Sequence, residues 1–260
     1  MSDGQSFADS GVVILGGTGG VGIEAACRFA EAGARGLVLM GRNAERGAAA
    51  CEAVRARASG AKVSFISVDG TDPDAVKVAA AEAESELGQV DILVTASGPS
   101  DPPRLLHKFD VGDVPAIMSG ITLPPILMSM ALLPAMRARK ADVIVTIASD
   151  AAKVATPGES LIGAGMAALV MFARTAAMEA KREGIRINVV TPSLIAESTG
   201  AAMLFGDPFS AKLFEKAASL ADLGVPNSAD IADTVLFLAG PGARRMTGQV
   251  VSVNGGISVG

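Results

Sequence analysis

Short apolar runs alternate with longer helical stretches along almost the whole 260-residue chain. Residues 12–15, 37–40, 63–68, 91–95, 142–147, 185–190 and 249–253 are strand-length, apolar and bounded by turn residues. Between them, residues 21–32, 44–58, 73–87, 125–138, 161–182 and 229–238 carry helical patterns, with Pro73 near the start of one and Gly88 after its end. Strands that are apolar throughout need cover on both faces. The alternation therefore predicts an α/β fold: a doubly wound parallel sheet in a three-layer α/β/α sandwich, as a single domain over 1–260. Neither an internal repeat nor a linker divides the chain.

Composition narrows the chemistry. With 22 Lys+Arg against 27 Asp+Glu the net charge is −5, which argues against a nucleic-acid partner. Cys27 and Cys51 match no zinc spacing and build no disulfide framework, so no metal site and a reducing cytoplasm are expected. The chain has one histidine, His107, and neither Tyr nor Trp, which excludes any mechanism that needs a tyrosine acid. Residues 1–10 are polar, lack the pattern of a signal peptide and read as a flexible N-terminus. The uncharged run 114–136 is long enough to cross a bilayer, but Pro115, Pro124, Pro125, Pro134 and Gly120 argue for a buried helix and no membrane.

In a doubly wound sheet, ligands bind outside the carboxyl ends of the strands. The first such end carries Gly16-Gly17-Thr18-Gly19-Gly20-Val21-Gly22, between the first strand and the first helix. Glycines let the backbone approach a pyrophosphate, and the helix N-terminus offers it free N–H groups. Gly16, Thr18, Gly19, Gly20, Val21 and Gly22 are thus expected to bind a dinucleotide. The second strand runs into Gly41-Arg42-Asn43 without the carboxylate that holds an NAD ribose. Arg42, with Asn43, is instead placed to meet a 2′-phosphate, so NADP(H) is preferred over NAD(H).

These features resemble the short-chain dehydrogenase/reductase family over essentially the whole length. Gly16, Gly20 and Gly22 match its GxxxGxG. Asp69, followed by Gly70, resembles its adenine-contacting Asp. Ala96-Ser97-Gly98 stands at its NNAG turn, with both asparagines replaced. Thr191-Pro192-Ser193 matches its Pro-Gly turn, and Asn254-Gly255-Gly256 its C-terminal strand. The resemblance implies a Rossmann-like NAD(P)-binding domain, a homodimer or homotetramer, a small-molecule substrate and a lid over about 193–222. The apolar residues of that lid, Met203, Leu204, Phe205, Phe209, Leu213 and Phe214, point to an apolar or aromatic substrate, or equally serve only to pack the lid onto the core, since helical apolar spacing fits both.

The resemblance also implies a catalytic Asn, Ser, Tyr and Lys. Ser149 matches the serine, while the other three places fall on Ile121, Ile162 and Met166. Without the Tyr general acid, rate falls by about 10²–10⁴, yet hydride transfer belongs to the cofactor and persists. His107, Lys153 and Glu159 are the substitute polar candidates, each also readable as a solvated loop residue. Three functions follow. One is an NADP(H)-dependent oxidoreductase of this type without the YxxxK motif, reducing an activated substrate with another proton source. The second is a non-redox lyase, isomerase or cyclase, and the third a non-catalytic cofactor-binding member.

Overall fold

The computed structural model describes residues 7–99, 102–140, 142–196 and 208–259. Seven strands form one sheet: β1 (Gly11–Leu15), β2 (Gly36–Gly41), β3 (Val63–Ser67), β4 (Ile92–Thr95), β5 (Val143–Ile147), β6 (Arg186–Thr191) and β7 (Val250–Ser252). Their order is β3-β2-β1-β4-β5-β6-β7 and every pairing is parallel. Growth of the sheet reverses between β1 and β4, which makes this junction the topological switch point.

Among the described residues, seven helices cover the sheet: α1 (Gly20–Glu31), α2 (Ala44–Arg57), α3 (Pro73–Leu87), α4 (Val114–Arg139), α5 (Ser160–Ala180), α6 (Pro208–Ala218) and α7 (Ser228–Ala239). Alternate residues of β1 feed two separate cores. Val12 and Ile14 pack with α1, α2 and α7 through Phe29, Val54 and Val235. Val13 and Leu15 pack with α3, α4 and α5 through Val76, Met128 and Leu169. The result is the expected three-layer single sheet. Phe29 has no exposure, and replacing such a side chain by Ala costs about 3–5 kcal/mol.

The largest departure from the sequence expectation is α4. It begins at Val114 and runs through Pro124, Pro125 and Pro134. An interior proline costs about 3 kcal/mol in an isolated helix, which placed the expected start at 125. Burial of Ile117, Ile121, Met128, Leu132 and Met136 offsets that cost. A Cβ on Gly165 of α5 would lie 2.8 Å from Ile121 Cγ2, so glycine permits the close α4–α5 approach. Two stretches, Val111–Arg139 and Ser160–Glu183, are long and apolar enough to cross a membrane, and both place their inner faces in the core.

Within the stretch expected to be flexible, Phe7–Asp9 form a 3₁₀ turn, with Phe7 edge-on to Phe29 at 5.3 Å. Buried Arg186 closes the far end of α7, donating to Leu238 O at 2.6 Å and Ala239 O at 3.0 Å. The α6 helix falls inside the span expected to form a lid, where the apolar spacing is helical. Met203, Leu204 and Phe205 lie outside the described residues.

Candidate functional site

A cleft of about 930 Å³ opens at the carboxyl ends of the strands, across the switch point. Its floor is the glycine turn after β1. Gly16 and Gly17 donate to Met40 O at 2.8 and 3.2 Å, pinning the turn to β2. Gly16 has φ +83°, and a Cβ there would lie 2.6 Å from Ala96 C. No side chain caps the start of α1, so its first N–H groups remain available where Gly19, Gly20 and Val21 line the cleft. Gly22 stands behind the turn, where any Cβ would collide with Gly16 O.

One end of the cleft is cationic. Arg42 and Arg46 are exposed on its wall, and Arg46 Nη2 reaches Thr18 O at 3.2 Å. Asn43 caps α2 by accepting from Arg46 N at 2.8 Å. Beyond β3, Asp69 accepts from Thr71 N at 2.9 Å and from Thr71 Oγ1 at 2.8 Å. These bonds hold its carboxyl below the usual range. Gly70 sits against Pro124, and Ala96, Ser97, Gly98 and Pro192 complete this part of the lining. Ser97 Oγ is buried and unpartnered among the described residues.

The other end is apolar. Ile147, Ile162, Met166, Leu194, Ile195 and Phe214 line it, together with Ser149 and Glu159. Ser149 Oγ accepts from Ala151 N at 3.2 Å and retains its own hydrogen to donate. Glu159 is half-buried in the wall. Its removal from water pushes its carboxyl up to about 7, against the opposing hydrogen bond from Thr156.

Two candidate residues stand elsewhere. His107 is exposed on the 3₁₀ turn Leu106–Lys108, away from the cleft lining. Lys153 turns from the cleft to pair with Asp150 at 3.4 Å and to bond Ser252 Oγ. Asp150 in turn accepts from Asn254 and from Ser258 Oγ, the latter at 3.0 Å. This buried network ties the loop after β5 to the C-terminal segment.

Sequence reasoning missed Arg46, although its position three residues past a capping Asn puts it on the first turn of α2 beside Arg42. It also missed Pro124, which lines the cleft on an α4 that begins at Val114 rather than at the expected 125.

Residues 16–258 match the family model described as enoyl-(acyl carrier protein) reductase. The chain belongs to the short-chain dehydrogenase/reductase family. Among curated relatives of this short-chain dehydrogenase/reductase is the 3-oxoacyl-[acyl-carrier-protein] reductase FabG of Chlamydia trachomatis. It is 28% identical, over 95% of this chain and 96% of the relative. Momilactone A synthase of Oryza sativa is 29% identical, over 99% and 93%. The crystal structure of levodione reductase superposes with a TM-score of 0.89 at 26% identity, covering 95% and 97% of the two chains.

As a short-chain dehydrogenase/reductase the protein is an oxidoreductase by family and takes a cofactor of the NAD(P)H class. The cleft fits that class. Glycines stand where a Cβ would strike backbone, at Ala96 for Gly16 and at Gly16 for Gly22, and among the described residues no side chain caps α1 and Ser97 Oγ lacks a partner.

Proposed function

We propose that this chain is an NADP(H)-dependent oxidoreductase that reduces an activated, apolar or aromatic small molecule with a proton source other than tyrosine. The observation that carries the reading is the pair Arg42 and Arg46 at the end of the cleft next to β2, with no carboxylate closing that strand. Two guanidinium groups suit a 2′-phosphate, whereas a ribose 2′-hydroxyl calls for an acid. The glycine turn and the α1 N-terminus would hold the pyrophosphate, and Asp69 the adenine end. NADPH, when bound, supplies the hydride.

Around the reacting carbon, this chain's residues hold and exclude rather than protonate. Ile121, Ile162 and Met166 occupy the places of the family's Asn, Tyr and Lys and keep water out. Ser149 Oγ donates to a polar substrate atom. Phe214 of α6 and Leu194 close over the apolar part of the substrate, as a lid over 193–222 requires. Exposed Met130 on α4 and Met171 on α5 support a homodimer or homotetramer built on these helices. A second reading, a non-redox lyase, isomerase or cyclase, rests on Glu159, whose carboxyl near neutrality can exchange protons without any hydride.

Titration with NADPH and NADH, followed by nicotinamide fluorescence, tests the first reading. Tight NADPH with weak NADH binding is expected. Failure of both to bind overturns it, and product formed without cofactor consumption favours the second.

A further inference from the structure

Glu159 is the one acidic side chain on the cleft wall among Ile162, Met166, Pro103 and Phe214, and no cation of the described residues is paired with it. Its charged neighbours are engaged elsewhere. Arg104 donates its backbone N–H to Gly158 O at 2.8 Å and lays its guanidinium 4.4 Å from the Phe109 ring. The Asp150–Lys153 pair is closed on itself and on Ser252. A carboxyl in an apolar wall is a costly arrangement unless a ligand supplies the missing charge.

We infer that the apolar end of the cleft takes a cationic substrate, an iminium ion carried on an apolar or aromatic frame, with the Glu159 carboxylate as its counter-ion. The inference rests on the proposed NADPH-dependent reduction and names its substrate class. Ketone reduction leaves an alkoxide that needs a proton at once, and a nearby carboxylate repels that developing charge. Iminium reduction needs no acid. The hydride electron pair becomes the new C–H bond, the C=N π pair returns to nitrogen as a lone pair, and a neutral amine and NADP⁺ remain. With a neutral imine, the Glu159 carboxyl first gives its proton to nitrogen, and the carboxylate regains one from water after the amine leaves. A chain whose tyrosine and lysine places hold Ile162 and Met166 suits a reaction with this proton demand.

The test uses the full chain with NADPH and two probes of similar shape, the permanently charged N-methyl-3,4-dihydroisoquinolinium ion and the neutral ketone 1-tetralone. The expected result is NADPH oxidation with the cation at a kcat/KM at least about a hundredfold above that with the ketone. For the cation, kcat/KM should rise with pH through about 7 as Glu159 ionises. Glu159→Gln should lower it by about tenfold or more, chiefly in KM, with the NADPH dissociation constant unchanged. Glu159→Asp, which restores the charge, should recover part of the loss. Ketone turnover matching that of the cation, or one that grows as pH falls, overturns the inference and makes Glu159 a proton donor instead. So does a cation rate indifferent to Glu159→Gln. NADPH binding without cation turnover overturns this inference alone, whereas absent NADPH binding removes the cofactor reading beneath it.

Discussion

Lys153 Nζ stands 3.4 Å from Asp150 Oδ1, and Ser252 Oγ bonds to both partners. A lysine that follows the candidate Ser149 closely in sequence is thus committed to fastening the C-terminal segment. Lys153→Met should leave NADPH affinity intact and destabilise the fold. Breaking a buried pair outright costs about 3–5 kcal/mol, but Asp150 keeps three other donors, so a loss of about 1–3 kcal/mol is expected. Thermal unfolding should register several degrees. Lost turnover at an unchanged Tm would give Lys153 a role at the substrate instead.

The turn beneath the cofactor makes a sharper demand. Gly16→Ala introduces a side chain at φ +83° and 2.6 Å from Ala96 C, which only a shift of the β1 or β4 backbone relieves. Both Tm and NADPH affinity should fall. Gly98 lines the same cleft with open space where its Cβ would stand, so Gly98→Ala should leave Tm unchanged. Equal thermal cost for both substitutions would refute the cradle geometry.

On the proposed reading, Arg42 and Arg46 discriminate between the two nicotinamide cofactors. Removing a charged hydrogen-bond donor from a phosphate costs about 1.5–3 kcal/mol, or roughly 10- to 150-fold. Arg42→Ala and Arg46→Ala should each weaken NADPH binding within that range while NADH binding barely moves. Parallel titrations read the ratio, and an equal loss for both cofactors would make the pair ordinary surface charge.

What the sequence discloses follows from range. Strands β1, β2, β4 and β5 are legible because both faces are buried and nearly every residue is apolar, the mutually bonded Thr95 and Thr146 excepted. Helix starts at Asn43, Asp72 and Asn227 are legible because caps act within three residues. The first half of α4 is not, since tertiary burial there overrides the interior prolines Pro124 and Pro125. The glycine turn and Arg42 announce themselves locally, but the destination of Lys153 depends on Ser252, and the raised carboxyl of Glu159 depends on its burial in the cleft wall. No short window of sequence carries either relation.

Asp142 extends the same reasoning to stability. It lies just before β5 with its side chain almost wholly buried, 3.1 Å from Arg139 Nη2. Burial pushes its carboxyl up to about 7, Arg139 opposes the rise and the nearby Asp91 adds to it. The ordinary value is 3.8, so between about pH 4 and 7 the folded chain keeps a proton that the unfolded chain has released. Stability contributed by this group is therefore present at low pH and lost as pH rises through about 7. Asp142→Asn cannot ionise, and its amide oxygen can still accept from Arg139. The variant should be more thermostable than the parent at pH 8, with the gain shrinking steadily toward pH 5. Unfolding curves at four pH values between those limits decide the matter. A gain that does not vary with pH would point to packing, and a loss at pH 8 would mean that the ion pair with Arg139 outweighs the burial of its charge.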